Sequence, residues 1–191
     1  RQRSERQIAV VVLSYNEEYV LPETIRACKA LTYRNRLIVM ADDSTDPAAV
    51  ESLREIARAG GCQEVTGHGF VQEVTAPDGS ARGESIEIWE GPGLVLFHRP
   101  KNVGFKAGSI VKIHDYLRSR HIDLMYLLDA DWHPQQDALE RTMEVLEADE
   151  RIAFVQTKRL AVPQGLNRFQ RYVALNEEGC YHVDFQGRQV L

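Results

Sequence analysis

Asp129 and Asp131 stand one residue apart at the end of the apolar run Tyr126-Leu127-Leu128, just ahead of Trp132-His133-Pro134. The run reads as a buried strand, and the proline opens the next helical pattern. Two carboxylates at such a strand end repel each other and lose hydration. That cost is relieved when a hard divalent cation with oxygen ligands sits between the protein and substrate phosphates. The pair therefore points to a site for a nucleoside diphosphate. Taken alone, an Asp-x-Asp phrase more often decorates a turn or caps a helix, so its meaning depends on what lies around it.

Three further polar clusters follow apolar strand-like runs. Ser14-Tyr15-Asn16-Glu17-Glu18 comes after a β-branched run at 8–13, Asp42-Asp43-Ser44 after 37–41, and the stretch from Lys101 to Lys106 after a run ending near Phe97. Between them lie helical patterns: one beginning near Pro22, one capped by Asp46 with Pro47 as its first residue, one over 106–119 and one over 134–149. Such alternation predicts an α/β fold, an open and mostly parallel sheet with helices on both faces. A β-hairpin insertion at about 64–93 breaks the rhythm, its tip at Pro77-Asp78-Gly79-Ser80. A last strand is expected at 152–156 and a last helix at 167–181. In an open parallel sheet, ligands bind beyond the carboxyl ends of the strands. Four polar clusters in succession on that edge describe one cleft.

Each cluster also has a plainer reading. Asp42-Asp43-Ser44-Thr45-Asp46 could be capping chemistry ahead of Pro47, a role assigned here to Asp46 but not to Asp42. Asn102-Val103-Gly104 could be a tight turn, and Lys106 a solvated helix lysine. His133 is left out of any metal shell, because oxygen ligands suit a hard cation better than imidazole. The remaining histidines share no ligand spacing.

Composition excludes other classes. The net charge is -5, which argues against a nucleic-acid surface. The three cysteines, Cys28, Cys62 and Cys180, fit neither a disulfide framework nor a zinc pattern and suggest a reducing, cytosolic setting. No apolar run approaches the length of a membrane span, and the piece is expected to be soluble. With 191 residues, the chain is read as one domain, 1–191.

The phrases Val10-Val11-Val12-Leu13-Ser14-Tyr15-Asn16-Glu17, Ala41-Asp42-Asp43-Ser44-Thr45-Asp46, Arg99-Pro100-Lys101-Asn102-Val103-Gly104-Phe105-Lys106-Ala107-Gly108 and Asp129-Ala130-Asp131 together resemble the successive motifs of family 2 glycosyltransferases of the GT-A fold. The third phrase and Val155-Gln156-Thr157-Lys158-Arg159 are most similar to the cellulose-synthase and mannan-synthase-like branch. The resemblance implies a nucleotide-sugar donor, UDP- or GDP-linked, a glycan acceptor, and Mg2+ or Mn2+ as cofactor. It implies that Ser14, Tyr15, Asn16, Glu17, Asp42 and Asp43 contact the base or ribose. Asp131 would then hold the cation, with Asp129 touching the ribose or the ion, and Lys106 would add positive charge near the diphosphate.

Inverting transfer needs a carboxylate base on the acceptor side. The family takes it from a Thr-Glu-Asp type motif, followed in processive members by Gln-x-x-Arg-Trp. Neither occurs here; Gln164-Gly165-Leu166-Asn167-Arg168 lacks the pattern, and Glu177, Glu178 and Asp184 match neither. The general base is therefore unassigned. The expectation is of a donor-binding part whose natural polypeptide continues into the acceptor half of the cleft and then into membrane helices, at the cytoplasmic face of the membrane. Two rivals remain open. A sugar nucleotidyltransferase would share the metal logic, but it begins with a glycine-rich phosphate loop, which Ser14-Tyr15-Asn16-Glu17-Glu18 is not. A non-catalytic nucleotide-sugar-binding module would need no base.

Overall fold

The computed structural model describes residues 6–75 and 79–157. The chain divides into two compact units, 1–143 and 144–191. In the first unit, β1 (Ile8–Ser14) is buried along its whole length, as its run of branched side chains requires. It leads through α1 (Leu21–Lys29) to β2 (Arg36–Asp42), and α2 (Pro47–Ala59) follows. Asp46 caps α2 as expected, its side chain accepting from the Ala48 amide. At the other end of α1, Arg36 donates to the carbonyls of Cys28 and Lys29, which have no partner inside the helix.

The next segment departs from expectation. β4 (Val71–Thr75) and β5 (Ala81–Ser85) form a separate two-stranded hairpin, but β6 (Glu87–Gly91) pairs antiparallel with β7 (Leu94–His98) in the main sheet. The short β3 (Gln63–Glu64) pairs with β6 in turn. The stretch at 64–93 is thus only partly an insertion: Gly91-Pro92-Gly93 is the turn of a second hairpin that extends the sheet. Burial explains this. Ile86 and Ile88 are in the core, where backbone groups need partners: Ile88 pairs with Phe97 of β7 in the sheet, and the Phe70 carbonyl accepts from the Ile86 amide.

α3 (Phe105–Ser119) connects β7 to β8 (Leu124–Asp129), and α4 (Ala138–Leu146) follows. The six-stranded sheet has the order β3-β6-β7-β2-β1-β8, with β7, β2, β1 and β8 parallel. One face carries Ala9, Val11, Leu13, Val39, Phe97 and their neighbours against Ile113, Tyr116 and Leu117 of α3. On the other face α1 packs on β2, and α2 on β7 and β6. Cys28 and Cys62 are free and buried; burial pushes the Cys28 thiol up to about 12, so it packs as an apolar group.

β8 is less enclosed than its composition suggests. It is the sheet edge, and Leu127 is 41% exposed while Leu128 is buried. α4 is shorter than the stretch at 134–149 because its first regular turn comes only at Ala138. Of the second unit only 144–157 is described; residues 152–156 do not form the expected strand, and the helix expected at 167–181 lies outside the described residues. Among the described residues no helix is long and apolar enough to cross a membrane.

Candidate functional site

The parallel register assembles the site. Ser14 pairs with Asp42, Asp42 with His98, and Leu13 with Asp129, so all four polar residues come to one edge of the sheet. The chain leaves β1 toward β2 on one side, while β8 returns on the other, and this change of direction opens a crevice.

Asp42 is fully buried and spends its carboxylate inside the protein. Ser14 Oγ donates to it at 2.7 Å, Ser44 Oγ at 2.6 Å and the Ser44 amide at 3.0 Å, and His98 Nδ1 lies 2.7 Å away. It binds the ends of β1, β2 and β7 together. Asp43 is tied to Arg99, whose Nε and Nη2 meet its two oxygens at 2.6 and 2.5 Å. Burial pushes the Asp43 carboxyl up, against the pull of the Arg99 guanidinium. Arg99 also donates from Nη1 to the Val103 carbonyl and from Nη2 to the Phe105 carbonyl, so one buried guanidinium shapes the turn that leads into α3.

That turn is conformationally demanding. Gly104 has φ 73° and Phe105 has φ 51°, a left-handed conformation that a bulky residue rarely takes, and the Phe105 ring is left 74% exposed. Gln72 of the hairpin braces the same turn from outside, its Nε2 donating to the Lys101 carbonyl at 2.7 Å and its Oε1 accepting from the Lys101 amide at 3.3 Å.

On the first loop, Asn16 is a connector. Its Oδ1 accepts from the Thr45 and Asp46 amides, and its own amide donates to Ser44 Oγ. Tyr15 and Glu17 line the crevice. Across it, Lys106 Nζ donates to Asp129 Oδ1 at 2.5 Å. After Asp129 the chain turns, with the Trp132 amide donating to the Asp129 carbonyl and Thr24 of α1 donating to the Ala130 carbonyl, which leaves Asp131 exposed.

The crevice has a volume of about 280 Å³ and is lined by Leu13, Ser14, Tyr15, Glu17, Ala41 and Asp43 on one side, and by Asn102, Phe105, Lys106 and Ser109 on the other. Ser14, Tyr15, Glu17, Asp43 and Lys106 of the expected set line it directly. Asp129 joins through Lys106, while Asp42 and Asn16 hold the frame. Arg99, Asn102 and Ser109 lie outside the expected site set, although Asn102 belongs to the polar cluster from Lys101 to Lys106. Arg99 too carries a signal in the sequence, a basic residue placed directly after an apolar run.

Among the described residues no three His, Cys, Asp or Glu side chains cluster as a ready-made cage. Asp131 is exposed, and Asp129 shares one oxygen with Lys106. One or two carboxylates fit a cation that takes its remaining ligands from diphosphate and water, as Mg2+ does.

The mostly parallel α/β sheet with its strand-end crevice is a fold of the GT-A type. Within that class the chain is similar to glucomannan 4-beta-mannosyltransferase 7 of Arabidopsis thaliana, 27% identical over 153 residues, which are 78% of this chain and 22% of that protein. It is similar also to probable glucomannan 4-beta-mannosyltransferases 2 and 4 of Oryza sativa subsp. japonica, each 29% identical over 79% of the chain and 22% and 23% of those proteins. The chain is thus homologous to the cellulose-synthase-like glycosyltransferases of family 2, and the matched stretch spans less than a quarter of the relatives' length. No family model matches the chain.

Proposed function

We propose that this chain is the donor-binding part of a glycosyltransferase that moves a hexose from a UDP- or GDP-linked donor to a growing glycan. The names of the relatives support a mannosyl donor and a polysaccharide acceptor. The observation that carries the reading is the Lys106–Asp129 pair beside the crevice, with Asp131 exposed two residues further on.

In this reading the base and ribose enter the crevice and the diphosphate lies over the start of α3. Lys106 contributes a point charge there, and the free amides of the helix N-terminus add a favourable dipole. Asp131, with Asp129, would hold Mg2+ or Mn2+; when bound, the cation neutralises charge on the departing nucleoside diphosphate. Asp43 faces the nucleoside with its carboxylate oriented by Arg99. Transfer with inversion remains part of the proposal, with its base supplied outside the described residues.

Calorimetric titration of the 191-residue chain with UDP and GDP, with and without Mn2+, tests this reading. Mn2+ should tighten nucleotide binding about tenfold or more, and Asp131→Ala should remove that gain. Affinity that is indifferent to Mn2+ would overturn the reading.

A further inference from the structure

Two residues that line the crevice each carry a buried polar atom that lacks a hydrogen-bond partner among the described residues: Ser109 Oγ and Asn102 Oδ1. Both residues line the same crevice, and Ser109 is only 2% exposed. A buried hydroxyl or amide oxygen left unpaired is costly, so such a pair on one wall points to a ligand that supplies what the protein does not.

The two buried carboxylates expected to accept from a nucleobase are otherwise engaged, while Glu17 lines the crevice. Asp42 serves Ser14, Ser44 and His98, and Asp43 serves Arg99 with both oxygens. Among the buried groups lining the crevice, the unpaired amide oxygen is Asn102 Oδ1. Around it the crevice offers Leu13, Ala41 and the Phe105 ring, surfaces for a flat, weakly polar body rather than for a phosphate, which an amide oxygen repels. The positive charge lies at Lys106.

Building on the donor-binding reading, we infer that Asn102 and Ser109 recognise the nucleobase itself. Asn102 Oδ1 accepts a ring N–H, and the Ser109 hydroxyl donates to the carbonyl beside it. Uracil presents this edge at N3–H and O4, guanine at N1–H and O6. Cytosine and adenine instead present an unprotonated ring nitrogen at that position, so an acceptor would face the Asn102 acceptor.

Titration of UDP, GDP, CDP and 3-methyl-UDP in the presence of Mn2+ tests the assignment. UDP or GDP should bind about tenfold or more tightly than CDP, and the methyl group on N3 should cost UDP at least as much. The order of UDP and GDP identifies which base the crevice takes. Ser109→Ala should weaken the preferred diphosphate about tenfold with little effect on CDP, while the unliganded protein becomes no less stable, because an orphaned hydroxyl has been removed. Asn102→Asp, which keeps an acceptor, should retain more of the preference than Asn102→Ala. Mn2+-dependent binding that ignores the base and both substitutions would overturn this inference and leave the donor-binding reading standing. Failure of every diphosphate to respond to Mn2+ would overturn both.

Discussion

Arg99 heads the fully buried side chains by size, at 1% exposed, and it is charged. Its position is tolerable because Asp43 takes two of its N–H groups and two backbone carbonyls take two more. Removing one partner leaves the other charge buried and uncompensated. Arg99→Ala should therefore cost about 3–5 kcal/mol in urea denaturation, and the paired change Arg99→Met with Asp43→Leu clearly less. A loss from Arg99→Ala of under about 1 kcal/mol would mean that the guanidinium is incidental to the fold.

At the scale of an element, the start of α3 owes its shape to two glycines and one strained aromatic. An added Cβ at Gly108 would lie 2.1 Å from the Val103 carbonyl oxygen and 3.0 Å from Arg99 Nη1. Within a helix Gly→Ala ordinarily stabilises by about 1 kcal/mol. Here the sign should reverse: Gly108→Ala is expected to lose about 1–3 kcal/mol in thermal denaturation, through displacement of the turn that carries Asn102 and Phe105. Nucleotide binding should weaken with it. The hairpin of β4 and β5 belongs to the same element-scale account, since Gln72 clasps the backbone of Lys101 and so anchors that turn.

Across the whole molecule, the antiparallel extension of the sheet is fastened to the helical layer by Glu87. Its carboxylate accepts from Arg54 Nε and Nη2 at 2.8 Å each, and from Trp89 Nε1 at 2.6 Å. Burial works to raise its pKa, but these donors together outweigh it and hold the group below its ordinary value of 4.5. A carboxylate so depressed adds stability that is present above the unfolded value and lost as pH falls through the folded one. Glu87→Gln should thus be less stable than the parent by about 1 kcal/mol at pH 7, and the two should converge as pH drops below about 4.5. Parallel acid-denaturation curves, offset equally at all pH values, would contradict it.

The sequence alone disclosed the parallel strands, the helices between them and the polar clusters at the strand ends where the crevice lies, because branched apolar runs and capping residues act locally. The Asp46 cap and the strand ending at Asp129 are legible for that reason. Local patterns could not tell which strand would lie beside which. Gly91-Pro92-Gly93 looks the same whether it ends an insertion or turns a hairpin into the main sheet, and the choice was made by burying Ile86 and Ile88. Nor could a motif show how a carboxylate is spent. Asp42 and Asp43 are adjacent in the chain, yet one is sealed among Ser14, Ser44 and His98 while the other faces the crevice in the grip of Arg99. Hydrogen-bond partners 28 and 56 residues apart are supplied by strand register, a property of the assembled sheet rather than of any segment.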